Sequence, residues 1–373
     1  MLRPQRGYAS DEAGNFLLTL DGARTWHPAP GVTNRAPIAS TTLPPNDVWI
    51  LEAEANFDLP RTTNGGSRWR RITLGHPIET SWAQAVGLTC AGLRVARLSR
   101  WCGHQTVLIT LDVSGADGAP VSAIDDGKGP ATLIAHPGSS DASSWSQVAG
   151  LLTEEFRVVR IQRRIHASDA AIALPHTMAT EATNVLAVAS QLSRPLLVGH
   201  SSGAVAALEA ALASPAAFAG LVLYEPPLAT RSPIAGEAGA RARAALNAGD
   251  PVAAMEIHMR DIVKVPEADV TARFALADAR RQFARFAAAQ IADNEAMDAL
   301  GVGIDRYVAL ELPTMLIEGE RSPAHLRQGL ADLAATLPHA EIATLDGQDH
   351  IAHLTAPDRI ASVIREFARR VWQ

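Results

Sequence analysis

Five residues in the middle of the chain carry its densest chemical signal: Gly199-His200-Ser201-Ser202-Gly203. They follow a short apolar run, Pro195-Leu196-Leu197-Val198, and precede the alanine-rich stretch Ala204 to Leu212. Gly-x-Ser-x-Gly between a strand and a helix predicts a very tight turn that lifts one serine above the end of its strand. Ser201 at the apex takes a strained backbone conformation, and side chains two residues before or after it would collide. Glycines at 199 and 203 remove the collision. The backbone N–H of Ser202, at the start of the new helix, faces any oxyanion forming beside the Ser201 hydroxyl. The same five letters also arise by chance in a chain rich in glycine and alanine, so the surrounding elements must decide.

Those elements alternate. From about residue 104, Thr106–Leu111 and Pro120–Ile124, separated by Gly115-Ala116-Asp117-Gly118, read as an opening antiparallel pair. Apolar runs recur at 131–135, 157–161, 196–198, 220–224, 313–317 and 340–345, with helical stretches at 143–154, 177–192, 202–213, 324–336 and 357–371. Strands alternating with helices of this length predict a mostly parallel sheet covered on both faces. The interval 228–311 breaks the alternation. Asp250-Pro251 is a helix start, after which Val252, Met255, Met259 and Ile262 share a face; a second helix is expected over 268–291, with Phe274, Phe283 and Phe286. An all-helical insertion there reads as a cap over the active edge of the sheet. Its Met and Phe side chains read as packing.

Before residue 104 the chain has a different character: little helical periodicity, many turn residues and five of the seven tryptophans. Thr19–Trp26 and Thr62–Trp69 resemble each other, and both resemble the Asp-box of sialidase-like β-propeller repeats, whose acidic residue and glycine shape a hairpin turn. Ala23, Asn64 and Arg68 depart from that pattern. Two units cannot close a propeller. Residues 1–103 are therefore expected to form a small β-rich appendage without a site of its own.

Four ordered pieces of residues 104–373 resemble an alpha/beta-hydrolase with a helical cap after the sixth strand. They are His136-Pro137-Gly138-Ser139 after a strand, the turn at 199–203, Leu223-Tyr224-Glu225-Pro226-Pro227, and Gly347-Gln348-Asp349-His350. The resemblance implies a serine hydrolase with Ser201 as nucleophile. A serine hydroxyl needs a base, and His350, after the last strand, matches the position of the catalytic histidine. His353 is the fallback; His200 is expected to point away and His136 to brace its own loop.

The acid that orients the imidazole is the open assignment. Where many relatives carry an aspartate, the loop reads Gly319-Glu320-Arg321-Ser322-Pro323, and Ser322 supplies no charge. A second arrangement in the family puts the acid after the sixth strand, where Glu225 stands; Glu320, Glu318 and a non-acidic arrangement are the alternatives. The oxyanion hole would use the N–H of Ser202 with that of Gly138 or Ser139, since Pro137 has none. The loop Gln162-Arg163-Arg164-Ile165-His166 replaces the Arg-Gly-His-Gly of many relatives.

Composition narrows the partners. A net charge of −6 and the lack of a dense basic run argue against nucleic acid or an anionic membrane. No apolar run is long enough to span a bilayer or form a signal peptide, so the chain is expected to be cytoplasmic. Cys90 and Cys102 lack metal-ligand spacing. No metal or cofactor motif appears. The expected activity is hydrolysis of a small carboxylic ester through an acyl-enzyme. The alternatives are carbon–carbon bond hydrolysis, lactone opening, perhydrolysis, or a non-catalytic binding protein on this scaffold.

Overall fold

The computed structural model describes residues 109–115, 117–167 and 176–372, and backbone strands between residues 7 and 73. The chain divides into two compact units, Met1–Trp101 and Cys102–Gln373. In the first, β1 (Gly7–Ser10), β2 (Phe16–Thr19) and β3 (His27–Pro28) form one antiparallel sheet. Strands β4 (Pro37–Leu43), β5 (Asp47–Glu52), β6 (Asp58–Thr62) and β7 (Arg70–Thr73) form a second. The two Asp-box-like windows begin at the ends of β2 and β6; residues 20–26 and 63–69 lie outside the described residues.

The second unit opens with β8 (Ile109–Ser114) and β9 (Pro120–Gly127), an antiparallel pair, followed by β10 (Ala131–Ala135), helix α1 (Ser146–Leu152) and β11 (Arg157–Ile161). Helix α2 (Met178–Ala189), β12 (Leu196–His200), α3 (Ser202–Ala213) and β13 (Gly220–Tyr224) follow. The cap then supplies α4 (Gly236–Asn247), α5 (Pro251–Ile257), α6 (Glu267–Ala275) and α7 (Ala277–Asp298). The chain closes with β14 (Thr314–Gly319), α8 (Ala324–Thr336), β15 (Ala340–Leu345) and α9 (Pro357–Val371).

The eight strands lie in the order β15-β14-β13-β12-β10-β11-β9-β8, with β10 to β15 parallel. The expected sheet, covered on both faces, is present. Alternation along each strand explains why: Leu133, Leu197, Leu223 and Leu316 meet α2, α3 and α8 on one face through Val185, Leu208 and Leu330. Ile134, Val198, Val222 and Ile317 meet α1 and α9 on the other through Val148, Ile360 and Ile364. Helix α9 shows the local logic, with Pro357 in its first turn, Ile360, Ile364 and Phe367 buried at helical spacing, and Arg369 and Arg370 at its negative end. After β10 the chain goes to β11 on one side and returns to β12 on the other. The carboxyl ends of β10 and β12 thus flank a topological switch point, where a crevice opens in sheets of this kind.

The cap differs from expectation in two ways. Helix α4 had no anticipated counterpart: a mean run of alanine, arginine and glycine gives it only a faint apolar stripe, with Gly239 and Ala242 buried. The single helix expected over 268–291 is two helices broken at Leu276, which has extended backbone at φ −83° and ψ 120°. No glycine or proline marks the break. Folding α6 back stacks Phe274 on Phe283 with ring centroids 5.0 Å apart, burying both helices' apolar faces around Met255, Val270 and Ala287. The expected start at Asp250 stands, its carboxylate accepting from the Ala253 N–H at 2.9 Å. Among the described residues no helix is long and apolar enough to cross a membrane.

Candidate active site

Ser201 sits where β12 becomes α3, with φ 52° and ψ −127°. Its N–H donates to the Tyr224 carbonyl at 2.9 Å, which pins the turn to the end of β13. A Cβ on Gly199 would lie 2.4 Å from Ala204 Cα, and one on Gly203 would lie 2.3 Å from the His136 carbonyl oxygen. The glycines are therefore demanded by the backbone of the first helical turn and of the loop after β10.

Five non-glycine residues among those described have positive φ: Ser139, Arg194, Ser201, Glu225 and Lys264. Three of the five are residues singled out for chemistry. Such backbone costs roughly 1–3 kcal/mol per residue and persists only where the surroundings over-determine it.

Glu225 is fully buried. One carboxylate oxygen accepts from the Gly319 N–H at 2.7 Å, and the other lies 2.5 Å from His350 Nδ1. Because a carboxylate only accepts, Nδ1 carries the hydrogen, and the neutral ring keeps its lone pair on Nε2. The His350 side chain is 20% exposed while that of Glu225 is fully enclosed, so the pair has one sealed end and one open end. The loop carrying His350 is stapled by the residues preceding Ser201 and Glu225. His200 donates from Nε2 to the His350 carbonyl at 3.0 Å. The Tyr224 hydroxyl donates to the Asp349 carbonyl and accepts from the Ala352 N–H at 3.0 Å.

The other candidates are placed elsewhere. Glu320 is exposed and accepts from the Gly347 N–H at 2.7 Å, holding the turn before His350. Glu318 accepts from Thr344 Oγ1 at 2.9 Å and faces Arg327. Ser322 is buried with its hydroxyl unpartnered. His353 is buried between Trp145 and His200, and burial pushes its imidazole down to about 3. Burial likewise holds His200 and His136 well below the usual histidine range, and at His136 the Arg163 guanidinium adds to it. His136 accepts from the Arg163 N–H at its Nε2 (3.1 Å) and donates from Nδ1 to the Pro137 carbonyl (2.8 Å), bracing the loop that carries Gly138 and Ser139. Ser202 is almost fully buried at the start of α3.

Sequence reasoning missed the polar residues of the cap and of the 162–166 loop. Ser139 donates to Gln290 Oε1 at 2.8 Å; Gln290 donates to Asn294 at 3.0 Å, and Asn294 lies 3.0 Å from His258 Nδ1. Burial lowers His258 to about 4. Arg163 is completely enclosed and contacts Glu181, Asp293 and Ser202. One signal was available: Glu181 falls on the apolar stripe of α2, between Met178 and Val185. Met255, Met259, Phe274 and Phe283 of the cap pack together as expected, whereas Phe286 lies edge-on to His166, ring centroids 6.2 Å apart. Among the described residues, no three His, Cys, Asp or Glu side chains are grouped to hold a metal ion.

Comparison with known proteins agrees with this architecture. The model of the alpha/beta hydrolase family matches residues 132–363. An alpha/beta hydrolase from Sphaerobacter thermophilus superposes with a TM-score of 0.61 and 27% identity, over 69% of this chain and 99% of that one. A thermophilic esterase from Thermogutta terrifontis gives 0.59 and 21% over 70% and 99%, and an enol-lactonase from Burkholderia xenovorans 0.57 and 20% over 69% and 100%. At those identities the last two share the fold. No curated protein matches in sequence. With more than half of its length matched by one family model, and the sheet order, elbow and cap in place, the chain belongs to the alpha/beta hydrolase family.

Proposed function

We propose that this protein is a serine hydrolase that cleaves small carboxylic esters in two acyl-transfer steps. The observation that carries the reading is the Glu225–His350 contact at 2.5 Å, made from a fully buried carboxylate to a part-exposed ring. A carboxylate in that position selects the tautomer with a basic Nε2 and stabilises the imidazolium that forms when the ring takes a proton. In the first step Nε2 accepts the Ser201 proton as the oxygen attacks the ester carbonyl. The oxyanion is held by the N–H of Ser202 with that of Gly138 or Ser139, and the imidazolium returns its proton to the leaving alcohol. In the second step His350 activates water, which releases the acid and restores Ser201. Lactone opening follows the same steps with the alcohol retained on the acyl chain. Against a non-catalytic scaffold stands the pairing of the buried Glu225 carboxylate with His350 Nδ1, which directs the lone pair of the neutral ring to Nε2, an arrangement that ligand binding alone does not need. The substrate class is a small molecule bearing an ester carbonyl, and the reading requires no cofactor.

Hydrolysis of short-chain p-nitrophenyl esters by the wild type and by Ser201→Ala tests the proposal. Turnover that disappears with the hydroxyl is the expected result; turnover that survives the substitution removes Ser201 from the mechanism and the proposal with it.

A further inference from the structure

The loop after β11 turns a residue that carried no assigned role into a hub. The Arg163 side chain has no solvent exposure. Its guanidinium donates to Glu181 on α2 at 2.8 Å, to Asp293 on the cap helix α7 at 2.7 Å, and to Ser202 Oγ at 2.7 Å. Its backbone N–H donates to His136, the residue that braces the Gly138-Ser139 loop. Asp293 is also fully buried and lies 3.2 Å from His166 Nε2 and 3.1 Å from His176 Nε2. Burial pushes the Asp293 carboxyl up, but the guanidinium and the two imidazoles outweigh it and hold the group well below the usual carboxylate range.

Taking a guanidinium and two carboxylates out of water is expensive, and apolar packing of the same volume is commonly as stable. That cost points to a role for the hub in placement rather than in stability. What it places is specific: one end of Arg163 holds the side chain of Ser202, and its backbone holds the ring behind Gly138 and Ser139. Those three residues carry the N–H groups assigned to the oxyanion hole. We propose that Arg163, anchored by Asp293 of the cap, is a positioning residue that keeps the two halves of the oxyanion hole in register. The proposal rests on the serine-hydrolase reading given above.

The test uses the full chain and the variants Asp293→Asn and Ser202→Ala. The first weakens the anchor; the second removes only the side chain that Arg163 grips and leaves the Ser202 N–H in place. For each, kcat and KM on p-nitrophenyl butyrate are measured, with active sites counted by a fluorophosphonate. Inhibition by a trifluoromethyl ketone, which adds serine as a tetrahedral oxyanion, is measured in parallel. Loss of one oxyanion donor costs about 100- to 1000-fold, so misplacement is expected to lower kcat per labelled site about tenfold. KM should stay within about threefold, and the trifluoromethyl ketone should weaken in step with kcat. A purely structural role would reduce the labelled fraction and leave kcat per site and the ketone affinity unchanged; that outcome overturns the proposal. If Asp293→Asn fails to fold, Ser202→Ala decides by the same criteria. Ser201→Ala separates the two levels: activity surviving it overturns the hydrolase reading and this proposal together. Ser201-dependent turnover that is indifferent to both variants overturns this proposal alone.

Discussion

Glu225 and Asp293 are both carboxylates with no solvent exposure, and both touch imidazoles. They sit in different kinds of surroundings. Glu225 is satisfied by one backbone N–H and one ring, and the side chain carrying that ring is 20% exposed. Asp293 is saturated by a guanidinium and two rings, all nearly or completely enclosed. In the proposed mechanism the first arrangement supplies the nitrogen that exchanges a proton with the substrate. In the second the far nitrogen of His166 has no partner either, but it is buried away from solvent, so the cluster can only hold. A buried carboxylate beside a histidine is therefore an incomplete signature of catalysis, and the exposure of the histidine separates the two cases.

The largest expected effect breaks the comparison on its open side. His350→Ala should lower kcat/KM for a p-nitrophenyl ester by at least about 10⁴-fold, because the nucleophile loses its base. Glu225→Gln should cost about as much, since an amide can present its oxygen to the ring but cannot stabilise the imidazolium. Glu320→Gln should stay within about threefold. Steady-state kinetics on the three variants check the assignment, and a loss confined to Glu320→Gln would move the acid to the loop after β14.

On the sealed side the larger effect falls on stability. Asp293→Asn leaves Arg163 half-paired inside the protein, and breaking a buried pair of this sort costs about 3–5 kcal/mol. Chemical denaturation of the folded variant measures it. Acid should act in the same direction through the enclosed histidines. Burial holds His258 at about 4 and His353 at about 3, below the ordinary value near 6.5. The unfolded chain then binds more protons than the folded one below about pH 6.5. Stability falls as pH drops through that point, by on the order of 2 kcal/mol per ring at pH 5. Denaturation at pH 7 and pH 5 tests the sign. The smallest effect is expected at His353 itself: His353→Phe preserves its stacking on Trp145 and should leave kcat/KM within about threefold.

The two regions also differ in how far their sequences revealed them. The open site was legible because each of its parts is a local signal: glycines flanking a serine, a glutamate ending an apolar run, a histidine after a turn. Positions 131–135, 157–161, 220–224 and 340–345 were legible for the same reason, as short apolar runs bounded by breakers. The sealed hub was not, because it joins positions 163, 181 and 293, which share no motif and meet only when the cap packs down on the sheet. The break at Leu276 was hidden likewise. Nothing in Ala275-Leu276-Ala277 disfavours a helix; the break goes with a tertiary contact, the stacking of Phe274 on Phe283. Glu225 lay between: its position was readable, while the choice over Glu320 depended on which carboxylate the fold brings to His350.

The central claim is that Ser201 is chemically activated by its surroundings, and a fluorophosphonate probe reads that without presuming a substrate. The intact protein is incubated with the probe, digested, and the modified peptide mapped, with His350→Ala treated alongside. The account predicts a single phosphonylated residue, Ser201, in the wild type and little or no labelling in the variant. Modification at another residue, or a Ser201 that stays unlabelled in folded wild-type protein, would contradict it.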